Sequence, residues 1–200
     1  MCGRSWASVM SEAPAPGAGL LHGDGKPSDW VMRGLAMLPR GARVLDFASG
    51  RGRHARAAGQ MQLIVTAADR DAAALAAVGG RIECVMTDLE ADPWPFVAGS
   101  FDAVIVTNYL YRPRFAELCG LLSPAGLLIY ETFALGNERY GRPSNPDFLL
   151  AEGELLERAR QAGLRVLAYE SGFAGSGRQA CIQRILAVGQ SAKAEAFAIE

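Results

Sequence analysis

The segment VLDFASGRGRHA, residues 44–55, carries Asp46 four positions ahead of Gly50 and a second glycine at Gly52. An apolar run leads into it and a helical pattern follows, so glycine backbone and the unpaired N–H groups of a helix start converge on one spot. GRGRHA satisfies the pattern Gly-x-Gly-x-x-Gly/Ala, and Asp69 closes the next apolar run about 20 residues later, where a ribose-binding acid would sit. Taken alone, this suits NAD, a flavin, or a tight turn with no ligand. Two further carboxylates narrow the choice. Asp46 lies where it would repel a pyrophosphate and attract an amine, and Asp88 ends a third apolar run in CVMTDLE. Acids at the ends of three consecutive runs predict a ligand with a ribose and amino groups and no phosphate.

These residues need a scaffold, and the chain supplies its outline. ARVLDF, QLIVTAAD, RIECVMTD, FDAVIVTN and GLLIYETF are five short runs rich in Val, Ile and Leu. Strands apolar on both faces belong to a central parallel sheet covered by helices. Helices are predicted over Arg53 to Gly59, Asp71 to Val78 and Pro113 to Leu122, with Ser28 capping an earlier one in PSDWVMRGLAML that Pro39 ends. The two prolines of LEADPWPFVAGS predict an irregular crossover. After a helix in EGELLERARQAG, LRVLAYES and QACIQRILAVG are joined by too short a loop for a crossover helix, so the last strand must reverse. The expected fold is α/β: a doubly wound, Rossmann-like, seven-stranded, mostly parallel sheet with an antiparallel last strand. That reversed strand is expected at an edge, with an exposed face that could pair subunits. Residues 1–26 read as a flexible segment, 27–189 as one domain and 190–200 as a tail.

Composition excludes several classes. The 200 residues are half apolar with a net charge of -1, ordinary for one globular domain and without the basic footprint of a nucleic-acid binder. No window approaches the roughly 18 apolar residues of a membrane span, and the N-terminus lacks a secretory core, so a cytoplasmic protein is expected. Cys2, Cys84, Cys119 and Cys181 lie far apart with only His22 and His54 beside them, which predicts free thiols and no metal site.

Taken in order, the motifs resemble the class I S-adenosylmethionine-dependent methyltransferases, from about Pro27 to Gly189. VLDFASGRGRHA is similar to that family's first motif, with Ala48 and Ser49 where a Gly-Cys pair is frequent. TAADRD, VMTDLE and FDAVIVTNYLYRP resemble the next three, and LLSPAGLLIYETF resembles the fifth strand with its preceding turn. RGRHA and ETFALGNERYGRPSNPDFLL are most similar to a bacterial branch described as tellurite-resistance methyltransferase-like. The resemblance implies S-adenosylmethionine as cofactor and S-adenosylhomocysteine as product. It implies that the backbone of Ala48, Gly50 and Gly52 faces the aminoacyl and ribose portion, with Asp46 organising the loop and approaching the ammonium. Asp69 would take the ribose hydroxyls, Asp88 the adenine amino group, and Leu89 the ring face, while Asn108 and Tyr109 close the fourth strand beneath the methionine end.

On the acceptor side the candidates are Tyr109, Tyr111, Arg112, Glu131, Asn137, Arg139, Tyr140 and Arg142. ALGNERYGRPSNP is long for its connection and predicts a lid, whose arginines favour an anionic acceptor. TNYLY lacks the Asn/Asp-Pro-Pro-Tyr arrangement linked to adenine methylation in nucleic acids, so a small-molecule acceptor is expected. Methyl transfer from a sulfonium needs alignment more than a base, and no catalytic residue stands out. His54 reads as a packing or capping residue, Asp102 as structural, and Trp30 and Trp94 as anchors. Two alternatives remain open: a protein that binds the cofactor without catalysis, and an NAD-dependent oxidoreductase.

Overall fold

The structure is a computed structural model that describes residues 25–91, 93–175 and 179–193. The segments expected to be a flexible start (1–26) and a tail (190–200) therefore lie largely outside the described residues. Ser28 adopts an extended backbone and its Oγ accepts from the Trp30 N–H at 3.2 Å, starting helix α1, Asp29–Leu35. Trp30, Val31 and Leu35 of that helix are buried against the sheet. Gly34 allows the close approach, since a Cβ there would come within 2.7 Å of Ile129.

The apolar runs form β1 (Arg43–Phe47), β2 (Ile64–Asp69), β3 (Glu83–Met86), β4 (Phe101–Thr107) and β5 (Leu122–Phe133), followed by β6 (Arg165–Ala174) and β7 (Ala180–Val188). They build one seven-stranded sheet in the order β3-β2-β1-β4-β5-β7-β6. The first five are parallel, and β7 is antiparallel to both β5 and β6. Helices α2 (Arg53–Gln60), α3 (Ala72–Ala76), α4 (Phe115–Gly120) and α5 (Glu154–Gln161) cover the faces. Two large apolar clusters result: one holds Trp30, Leu35, Val44, Ala55, Leu75, Ile105, Ile129 and Leu186, and the other holds Leu45, Phe47, Leu118, Leu128, Tyr130 and Leu155, with a small third at Phe133, Leu149 and Ala180. Strand order reverses between β1 and β4, and sheets of this kind bind ligands beyond the carboxyl ends at such a point.

Several expectations change. The reversed strand is not at an edge: β7 is inserted between β5 and β6, which removes the surface proposed for subunit pairing. The third run is not covered on both faces. It forms the opposite edge, where Met86 is 67% exposed along a groove of about 440 Å³ between α3 and β3. Helix α3 is shorter than expected, with Asp71 as its cap, and α4 is preceded by a 3-10 turn, Arg112–Arg114, because Pro113 has no N–H to extend it. Beyond Gly189 the chain stays docked: Ser191 N–H donates to the Pro124 carbonyl, Arg165 donates to that of Ala192, and Ala192 is buried. The crossover between β3 and β4 is irregular, as expected. Asp102 is structural, accepting the Arg43 N–H at 2.9 Å.

Candidate functional site

Asp46 is 1% exposed at the end of β1, and its carboxylate accepts the Ala55 N–H of α2 at 2.9 Å. Burial pushes its pKa up to about 7 against the opposing pull of that N–H and of Arg53, and the Asp69 charge adds to the rise. Asp46 thus joins strand end to helix start, and a cation above it would favour its ionised form.

The turn between them departs from ordinary backbone. Ala48, Gly50 and Gly52 have φ of 58°, 53° and 73°. Gly52 also packs directly on Val78, whose side chain a Cβ would meet at 2.8 Å. A non-glycine residue in the left-handed region is strained, and such strain gathers where backbone is shaped for a ligand. Asn108, just past β4 on the other side of the switch point, has φ of 54° and donates its N–H to the Glu131 carbonyl at 2.9 Å.

Asp69 ends β2 next to this turn. One oxygen accepts the Gly50 N–H at 2.7 Å and the other the Asp71 N–H at 3.0 Å. An ionised carboxylate has about four acceptor positions, so Asp69 shapes the loop and keeps capacity for two outer donors. Asp88 is exposed after β3, with one oxygen on the Glu90 N–H at 3.0 Å. Leu89 is buried beside it in the aromatic cluster, where Trp94 Nε1 donates to its carbonyl at 2.9 Å. The structure therefore brings Asp46, Ala48, Gly50, Gly52, Asp69 and Asn108 to the carboxyl ends of β1, β2 and β4, with Asp88 and Leu89 beyond β3. This set of acceptors, three carboxylates beside bent backbone, fits a ligand rich in hydroxyl and amino donors.

The acceptor-side candidates divide. Tyr109 is buried with its ring edge-on to Phe47 at 5.7 Å, and the Tyr130 hydroxyl donates to its carbonyl. Tyr111 is half-buried against the same cluster. Arg112 is committed within the protein: its fork meets Glu154 at 2.7 and 2.8 Å and the carbonyls of Asp147 and Leu149. Burial alone would raise the Glu154 pKa, but Arg112, the Ala151 N–H and Arg158 outweigh it and hold the pKa at about 2. Arg112 thereby pins the base of the segment after β5, whose ends meet where Ala134 bridges Leu150. Asn137 is buried and donates to the Pro143 carbonyl, an internal brace. Arg139 and Arg142 are exposed on that segment, and Tyr140 packs on Phe173 at 4.8 Å. Glu131 is half-buried and ion-paired with Arg184 at 3.3 Å.

His54 packs and caps, as its place in the first turn of the helix suggested: 2% exposed, it accepts the Ser28 N–H at 3.2 Å and lies 3.3 Å from Thr107 Oγ1, tying α1 and α2 to the end of β4. Burial holds its pKa down at about 3, with Arg53 adding to the fall, so it packs and caps as a neutral ring. One residue carried no clear sequence signal: Arg53, first residue of α2, which is half-buried and whose charge acts on that of Asp46. A cation in the first turn opposes the helix dipole, and that was the only hint available.

Comparison with known proteins agrees with this geometry. Residues 45–130 match the family model described as a methyltransferase domain. No curated protein matches the chain in sequence. Among solved structures, a SAM-dependent methyltransferase from Methanosarcina mazei is similar with TM-score 0.64 and 15% identity, over 82% of this chain and 98% of that one. TehB from Haemophilus influenzae is similar with TM-score 0.65 and 18% identity, over 80% of this chain and 61% of that one. The [4+2]-cyclase SpnF is similar with TM-score 0.62 and 17% identity, over 91% and 90%. At these identities the structural likeness establishes the fold, the seven-stranded arrangement of class I methyltransferases. The cofactor that the domain match and these neighbours support is S-adenosylmethionine. Among the described residues no helix is long and apolar enough to cross a membrane.

Proposed function

We propose that the protein transfers a methyl group from S-adenosylmethionine to a small anionic acceptor. One observation carries the reading: Asp46, Asp69 and Asp88, at or just beyond the ends of β1, β2 and β3, surround a strained turn with acceptors for hydroxyl and amino groups. In this reading Asp69 takes the ribose hydroxyls while its bonds to Gly50 and Asp71 hold it in place, and Asp88 takes the adenine amino group beside Leu89. The turn at Ala48 presents its backbone to the methionine end above Asp46, and Asn108 closes the other wall.

When bound, the cofactor supplies a methyl group already activated by its sulfonium. The protein then has to align an acceptor with it and exclude water, and alignment is worth roughly 7–11 kcal/mol of barrier. A dedicated base is not required. Tyr111, Glu131, Arg139, Tyr140 and Arg142 remain the acceptor-side residues of this reading, with the segment after β5 as a lid pinned by Arg112. Free thiols at Cys84, Cys119 and Cys181 fit a reducing compartment, and the cytoplasm is the location this reading carries. A screen of small anionic acceptors with methyl-labelled cofactor tests the proposal. Arg139→Ala with Arg142→Ala should raise the acceptor KM at unchanged cofactor affinity, and an unchanged KM would remove the anionic part of the reading.

A further inference from the structure

The turn after β3 carries Asp88 and Leu89, and two side chains from later in the chain hold its backbone. Trp94 Nε1 donates to the Leu89 carbonyl at 2.9 Å, and the Arg114 guanidinium donates to the Ala91 carbonyl. The two donors lie on each other, with the guanidinium 3.8 Å from the centre of the Trp94 ring. That ring is also edge-on to Phe47, the last residue of β1, at 5.1 Å. Arg114 immediately precedes α4, is 9% exposed, and gives the rest of its fork to Glu117. The turn is thereby tied at once to the end of β1 and to the start of α4.

Stability alone gives little reason for this arrangement. Burying a guanidinium carries a desolvation penalty, and the pair with Glu117, whose side chain is 47% exposed, returns only part of it. The described residues between β3 and β4 form no helix or strand that would need such bracing. Inside the turn, the Ala91 N–H donates to the Asp88 carbonyl, the Glu90 N–H to the Asp88 carboxylate, and the Thr87 N–H to the Asp69 carbonyl. These inner bonds set the shape of the turn, whereas Trp94 and Arg114 set its place against the sheet. Placement matters for a carboxylate that reads one amino group, since such a contact has to be held within about 0.5 Å. The single donor of the indole is spent on Leu89 and Arg114 covers one face of its ring, so Trp94 acts through the turn and not on a ligand.

We propose that Trp94 and Arg114 are positioning residues for base recognition. By holding the carbonyls of Leu89 and Ala91, they set the Asp88 carboxylate and the Leu89 side chain for the amino group and the ring face of adenine. The assignment rests on the cofactor reading above.

The test is calorimetric titration with S-adenosylhomocysteine and with S-inosylhomocysteine, whose base carries an oxygen in place of the adenine amino group. Wild type, Trp94→Phe, Arg114→Gln, Arg114→Lys and the double variant Trp94→Phe with Arg114→Gln are compared. Wild type should prefer S-adenosylhomocysteine. Trp94→Phe keeps a ring between Phe47 and Arg114 and loses the N–H. It should weaken S-adenosylhomocysteine by about 3–10-fold and move S-inosylhomocysteine by less than about twofold, so the preference shrinks. Arg114→Gln should act in the same direction, and Arg114→Lys, which keeps a cation over the ring, should fall between it and wild type. Losses in the double variant should add to less than their sum, because both residues act on one turn. Retained S-inosylhomocysteine binding shows that each variant is folded. Equal losses for the two ligands, or an unchanged preference, would overturn the proposal, since a residue that only stabilises the fold does not distinguish the bases. A wild type that binds both ligands alike would also overturn it and leave the cofactor reading standing. A wild type that binds neither would overturn the cofactor reading itself.

Discussion

Asp46 and His54 lie at the start of α2 with pKa values displaced in opposite senses, and their effects on stability should cancel until one is removed. Folded Asp46 holds its proton up to about pH 7, whereas the unfolded carboxyl releases it near 3.8. Between those values the native state binds more protons, so this group's contribution to stability falls as pH rises. Folded His54 stays neutral down to about pH 3, whereas the unfolded ring protonates near 6.5. Its contribution therefore falls as pH drops through that window. Each displacement corresponds to about 4–5 kcal/mol over its whole range. Asp46→Asn keeps an oxygen for the Ala55 N–H and removes the titration. Relative to wild type, it should lose about 3 kcal/mol between pH 7.5 and pH 4.5, measured by urea unfolding at fixed ionic strength. His54→Gln should show the opposite slope against wild type over the same window. An Asp46→Asn profile parallel to that of wild type would refute the reasoning, because Asp46 would then not be a buried carboxyl with a raised pKa.

Gly52→Ala places a methyl group at a φ of 73° and within 2.8 Å of Val78, and should destabilise the protein by about 2–4 kcal/mol in chemical denaturation. Arg112→Ala leaves Glu154 with only Arg158 and the Ala151 N–H and removes the guanidinium from the carbonyls of Asp147 and Leu149, with an expected cost of about 2–3 kcal/mol and faster proteolysis within 134–150. Asp88→Ala removes an exposed turn acceptor, so it should change the melting temperature little while weakening S-adenosylhomocysteine by about 5–20-fold in calorimetry. A cationic ligand above Asp46 should displace its proton, so S-adenosylmethionine should bind more weakly as pH falls below about 7, with proton release visible as buffer-dependent binding heat.

Much of the scaffold was legible because it is local. Ser28 caps α1, the apolar runs become strands, and the crossover with two prolines stays irregular, each set by neighbours in sequence. What was not legible depends on distant pairing. Arg112 reads as an acceptor-side residue until Glu154, 42 residues later, takes its fork. The third run reads as covered until the sheet order leaves it at an edge, and β7 reads as an edge until β6 pairs outside it. In the site, aspartates at strand ends could be read from position alone, but the left-handed backbone of Ala48 has no signal in an alanine, and Asn108 only a weak one in its tolerance of that region. The half-buried position of Arg53 needed the packed structure.

The most direct test of the central claim is calorimetric titration of the wild type with S-adenosylhomocysteine and, separately, with NAD, each repeated on Asp69→Asn. The account predicts binding of S-adenosylhomocysteine in the micromolar range (roughly −8 kcal/mol), weakened in the variant, and none of NAD. Binding of NAD with no response to S-adenosylhomocysteine would contradict it.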